Sequence, residues 1–84
     1  MASNEWTEEN DKLIKDFKFK NFTQAFAWMS GVAIEAEKMQ HHPEWKNVYN
    51  TVHVEMTTHD QGSVVTEKDH KLAGKMDKLA ESFG

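Results

Sequence analysis

The spacing of apolar residues changes several times along the chain, and each change marks an element. Trp6 is followed by the polar cluster Glu8-Glu9-Asn10-Asp11, which suits a turn. Phe17 and Phe19 then alternate with Lys18 and Lys20, and together these features predict a β-hairpin over Trp6 to Phe19. Lys12, Lys15, Lys18 and Lys20 read as the wet face of its second strand. From Asn21, a good N-cap type, Phe22, Phe26, Met29, Ala33, Ala36 and Met39 recur at intervals of four and three, the stripe of an amphipathic helix running to about Gln40. Gly31 lies within it and marks a place where close packing is allowed; Pro43 stops whatever precedes it. Val48 to Thr58 alternates as one half-buried strand, with Val48, Val52, Val54 and Met56 on one parity. The turn His59-Asp60-Gln61-Gly62 leads to a short β-branched stretch, Val64-Val65. Thr66-Glu67-Lys68-Asp69 then resembles a capping box for a last helix carrying Leu72, Met76, Leu79 and Phe83.

The predicted order is β-β-α-β-β-α, an α+β fold with two amphipathic helices packed on one face of one sheet, in a single domain spanning 1–84. A sheet this small leaves edge strands and one face open, so a homo-oligomer is expected. At 84 residues the chain has room for one small core, with about 60–65% of the unfolded surface buried at most. Zero Cys excludes a disulfide framework, a thiolate metal site and a cysteine nucleophile, and with no export leader or membrane span it points to a cytoplasmic protein. The net charge is −4 and all ten basic residues are Lys, so direct nucleic-acid binding, which leans on Arg and a basic surface, is a poor fit.

Candidate chemistry gathers at element ends. His41 and His42 are adjacent just past the long helix, and His59 sits where the alternating strand stops. Imidazoles titrate near neutrality, so two or three converging on one pocket can supply both a proton donor and a proton acceptor. Taken singly, His41 or His42 reads more readily as a solvated side chain or a favourable charge at a helix end. Glu37, one turn before His41, can orient that ring or hold it protonated, and Asp60 adjoins His59. Three His can also hold a zinc ion, but adjacent ligands lack the helical i, i+4 spacing and no HExxH motif supports them. His53 stands about six residues from His59, roughly 20 Å at strand rise, and is set aside; His70 reads as surface.

The segment Glu35 to Gly62, EAEKMQHHPEWKNVYNTVHVEMTTHDQG, closely resembles the signature region of the pterin-4a-carbinolamine dehydratases, a family also known as dimerisation cofactors of a hepatocyte homeodomain factor. The His-His-Pro, the Trp two residues on, the Asn-Val-Tyr-Asn run and the Thr-His-Asp agree in order and spacing. The likeness extends over roughly residues 6 to 80. It implies a four-stranded antiparallel sheet, assembly as a dimer or tetramer, and loss of water from 4a-hydroxytetrahydropterin to give quinonoid dihydropterin in tetrahydropterin recycling, with neither metal nor organic cofactor. It further implies that His41 and His59 protonate the departing hydroxyl and that His42 mainly binds the pterin. Glu37 would be an auxiliary carboxylate. Pro43, Thr58, Asp60 and Gln61 would line the pocket, with Asp69 a more distant polar support. A competing reading is a dimeric interaction module whose helices bind a transcription factor. The sequence departs from the family pattern in lacking the usual further N-terminal helix, in one additional residue between His59 and Asp69, and in Gly62-Ser63-Val64 where Gly-Gly-Leu is usual.

Overall fold

The computed structural model describes residues 5–83. Asn10 and Asp11 both take positive φ, 52° and 62°, which lets two residues join right-twisted antiparallel strands. They connect β1 (Thr7–Glu9) to β2 (Lys12–Lys18), with Glu9 opposite Lys12. Glu8 and Glu9, expected in the turn, are strand residues, because Asn and Asp alone tolerate the left-handed conformation it needs.

The first helix, α1 (Phe22–Met39), starts as expected: the Asn21 side chain accepts from the Gln24 amide at 2.9 Å. Its buried stripe is the expected one only in part: Ala36 is buried and Met29 and Met39 are half-buried against the core, but the stripe is centred elsewhere. Ala25, Trp28, Val32 and Ala36 face the sheet, whereas Phe22, Phe26 and Ala33 are exposed. The second half of the sheet also differs. The run Val48 to Thr58 is broken at Tyr49-Asn50, with Tyr49 at φ 52°, into β3 (Glu44–Val48) and β4 (Thr51–Met56). Val64, expected in a strand, makes only an isolated bridge to Thr58. The last helix, α2 (Glu67–Glu81), carries the capping box read from the sequence, and it buries Leu72 and Met76 fully and Leu79 in part, with Phe83 half-buried just past its end.

The strands form one antiparallel sheet in the order β1-β2-β4-β3, and the element order is the expected β-β-α-β-β-α. Leu13 and Phe17 of β2 and Val52, Val54 and Met56 of β4 point to one face, where both helices cover them. Trp28 is the centre of this core. Its ring lies 4.4 Å from that of Phe17, 5.2 Å from Phe19 and 6.1 Å from Trp45, and its Nε1–H donates to the Met76 carbonyl of α2 at 3.0 Å. Gly31 does serve close approach: a Cβ there would stand 2.6 Å from Leu79 Cδ2 on α2. Lys15 is not on the wet face. Paired inward with Val54, it lies over the Phe17 ring at 4.6 Å and reaches Asp77 at 2.7 Å, so its stem packs while its charge is matched.

The other face of the sheet is charged. There the His53 ring is hydrogen-bonded to Asp16 on one side and to Glu55 at 2.8 Å on the other, while Lys12 reaches Glu55 at 3.1 Å. Hydrogen bonding to Glu55 first, and then to Asp16, raises the His53 pKa above its ordinary 6.5. A cation favoured by folding contributes stability that is complete below pH 6.5 and is lost as pH rises through the raised value. The wild type is therefore expected to lose more thermal stability than His53→Gln between about pH 6 and 8. Melting temperatures across that range measure it. The difference is modest, because 41% of the side chain is exposed and solvent screens the charges.

Candidate active site

Three chain segments meet at one end of the sheet: the exit of α1, the end of β4 and the entry of α2. The exit of α1 is set by Gln40, which takes a left-handed conformation (φ 55°, ψ 41°). Its N–H bonds to the Glu37 carbonyl at 3.1 Å, and the His41 N–H bonds to the Ala36 carbonyl at 3.0 Å, the paired bonds that close a helix and turn the chain aside. This turn separates the two histidines. His41 goes inward and is 7% exposed; His42 stays outside.

The partner of His41 is Asp69, whose Oδ1 lies 2.6 Å from Nε2. Asp69 is completely buried. Its Oδ2 accepts from the Thr58 hydroxyl at 2.7 Å and from the Thr66 backbone N–H at 2.9 Å, the second bond being half of the capping box of α2. Among the described residues, no buried side-chain nitrogen or oxygen lacks a partner. A carboxylate that accepts at both oxygens, seated in the first turn of a helix, makes the adjacent ring nitrogen a donor. In this pairing the His41 proton belongs on Nε2, and Nδ1 takes no part in the bond to Asp69.

The other candidates belong to the same chain segments. Glu37, one helical turn before His41, hydrogen-bonds to His42 instead, Oε1 to Nε2 at 2.9 Å. The bond from His42, and after it that from the Gln40 side chain, lowers the Glu37 pKa below the ordinary carboxylate value. His59, Asp60 and Gln61 form an exposed 3₁₀ turn directly after Thr58 and closed by Gly62 at φ 87°; Pro43 is half-buried. Backbone bonds from Thr58 N–H to Val64 and from Ser63 N–H to Thr58 pin that turn to the end of β4. Asp60 also reaches Lys68 at 3.9 Å.

Two placements are more specific than the expectation. Asp69 gives its support through direct contact with His41. Thr58 is 1% exposed with its hydroxyl committed to Asp69, so its side chain stands behind the site. Thr66 belongs to the same network through a 2.6 Å contact between its hydroxyl and that of Thr58. Its only sequence signal was the capping box, which reads as a helix start. Among the described residues, no group of three or more His or carboxylate side chains is arranged to hold a metal ion. No helix there is long and apolar enough to cross a membrane.

The profile of the pterin 4 alpha carbinolamine dehydratase family matches residues 1–79. The chain belongs to this family. A protein of Jannaschia sp. (strain CCS1), provisionally named a pterin-4-alpha-carbinolamine dehydratase, is 54% identical over 83 residues, which are 96% of this chain and 84% of that one. A similarly named protein of Roseobacter denitrificans is 58% identical over 76 residues, 90% of this chain and 76% of its own length. Among solved structures, the transcriptional coactivator/pterin dehydratase of Brucella melitensis superposes with a TM-score of 0.85 at 44% identity, covering 89% of this chain and 81% of that one. A pterin dehydratase-like protein identified as a RuBisCO assembly factor in the α-carboxysome superposes with a TM-score of 0.74 at 22% identity, covering 94% and 90%, a likeness of fold alone. The carbinolamine dehydratase family is therefore the frame for the site's chemistry.

Proposed function

We propose that this chain catalyses the dehydration of 4a-hydroxytetrahydropterin to quinonoid dihydropterin in pterin recycling, by histidine acid–base chemistry. The observation that carries the reading is the His41–Asp69 pair, which supports one proton-exchanging nitrogen at a family-matched position. In the reaction the bond from the ring carbon to its hydroxyl breaks, a carbon–nitrogen double bond forms, the ring N–H proton passes to a base, and the hydroxyl leaves as water after protonation. His41, after taking up a proton at Nδ1, and His59 are the acids for the departing hydroxyl, and Glu37 is the auxiliary carboxylate that accepts a ring proton directly or through His42. His42 binds the pterin, with Pro43, Asp60 and Gln61 around it and Thr58 contributing from behind.

The exposed apolar strip of α1, where the Phe22 and Phe26 rings lie 5.9 Å apart, supports assembly into a homodimer or homotetramer through that helix. The same strip supports the second reading, a helix-binding interaction module with a transcription-factor partner. Stopped-flow absorbance with freshly generated 4a-hydroxytetrahydropterin, over about pH 5.5 to 8.5, tests the first. The wild type is expected to accelerate dehydration over buffer, and His42→Ala to raise KM about tenfold with a smaller effect on kcat, as for a lost binding contact. No acceleration by a folded oligomer would make the interaction module the better reading.

A further inference from the structure

We infer that Thr58 and Thr66 are positioning residues for His41, acting through a one-way hydrogen-bond chain from the start of α2 to Asp69. Each link has a single possible orientation. The Thr58 hydroxyl donates to Asp69 Oδ2 at 2.7 Å, so its one proton is committed. The Thr66 hydroxyl, 2.6 Å from the Thr58 oxygen, must then donate to it. The Thr66 oxygen in turn accepts from the Lys68 backbone N–H at 3.3 Å. The order is thus Lys68 N–H to Thr66, Thr66 to Thr58, Thr58 to Asp69, with the Thr66 backbone N–H also on Oδ2 at 2.9 Å. Both donors on Oδ2 orient the carboxylate and leave Oδ1 facing His41 Nε2 at 2.6 Å. The carboxylate, which only accepts, makes Nε2 the donor, and the chain holds that carboxylate, and with it the His41 ring, in one orientation.

The hydroxyls are suited to this role by their surroundings. Thr58 and Asp69 are almost wholly removed from solvent, so water does not compete for these bonds. Thr58 follows β4 in extended conformation (φ −100°, ψ 100°), and its β-branched side chain has few rotamers to choose from. Thr66 is fixed as the N-cap of a 15-residue helix. Helix capping and ring positioning thus share one carboxylate.

The catalytic consequence rests on the dehydratase reading, but the tautomer does not, and the experiment separates them. Long-range proton–nitrogen NMR correlations on uniformly ¹⁵N-labelled protein read the His41 tautomer directly. The wild type is expected to show His41 with a proton on Nε2, donated to Asp69. In Thr58→Val, equal in shape but without the donor, that proton stays on Nε2 because Asp69 still only accepts, but the Nε2–H resonance should shift and broaden as the carboxylate loses its fixed orientation. In the same variant kcat should fall about tenfold, the worth of one charge-assisted bond, with KM changed less than twofold. Thr58→Ser should recover both the resonance and kcat. Thr66→Gly keeps helix capping nearly intact while deleting the hydroxyl, and it should move the resonance in the same direction if Thr58→Val does not fold. An Nε2–H resonance and a kcat both unchanged in a folded Thr58→Val, or a wild-type ring protonated on Nδ1 alone, overturns the inference. A resonance that moves in a protein without dehydratase activity overturns the reaction and leaves the positioning role standing.

Discussion

Asp69→Asn is expected to give a folded protein whose dehydration rate is lower by about 10²–10⁴-fold, the range seen when a carboxylate that orients a catalytic His becomes an amide. Asn has the shape of Asp but only one accepting atom. Two donors, the Thr58 hydroxyl and the Thr66 N–H, meet at the Oδ2 position, so the amide oxygen settles there and helix capping survives. The amide nitrogen then faces His41 Nε2, where it can only donate. The neutral ring must carry its proton on Nδ1, and the nitrogen left for chemistry has lost its lone pair. Stopped-flow rates beside a far-ultraviolet circular dichroism melt measure both halves of the expectation. A rate within twofold of wild type in a folded Asp69→Asn would reduce Asp69 to a helix cap.

Trp28→Ala is expected to cost about 3–5 kcal/mol, the usual range for deleting a buried aromatic side chain. Against a total of about 5–15 kcal/mol for a native protein, that leaves little reserve. The residue is fully buried, touches three other aromatic rings and ties α1 to α2 through the Met76 carbonyl, so the hole opens where both helices and the sheet meet. At about 4–8 °C per kcal/mol for a domain of this size, the midpoint should fall by roughly 12–40 °C. Thermal melts by circular dichroism check this, with Trp28→Phe expected to lose much less. A fall under about 5 °C would mean that the core recloses around the gap.

The sequence carried the element order and α2 nearly whole, because one capping box and one apolar stripe admit a single placement. In α1 apolar residues occupy more than half the circumference, and two stripes satisfy intervals of three and four; only packing chooses the one with Trp28. The break at Tyr49-Asn50 was hidden by parity. In a two-residue hairpin Asn47 pairs with Val52 and Val48 with Thr51, so the faces exchange parity across the turn while the alternation of residue types runs on undisturbed. The histidines were legible as residues but their partners were not. Glu37 and His41 stand at helical spacing, but the helix ends at Met39 and the left-handed Gln40 swings His42 to Glu37 and His41 to Asp69. A contact spanning 28 residues leaves no local pattern.

Asp77 of α2 accepts from Trp6 Nε1 at 3.0 Å and from Lys15 at 2.7 Å, joining the two ends of the chain across 71 and 62 positions. The β1–β2 hairpin is thus completed by a helix that is translated well after it. The β1–β2 hairpin has β4 to pair with only after α1 and β3 have been made, and it gains a lid over Trp28 only with α2. Completion of the fold therefore waits on distant contacts, and a nascent chain stalled before α2 would expose its aromatic core to chaperones and proteases.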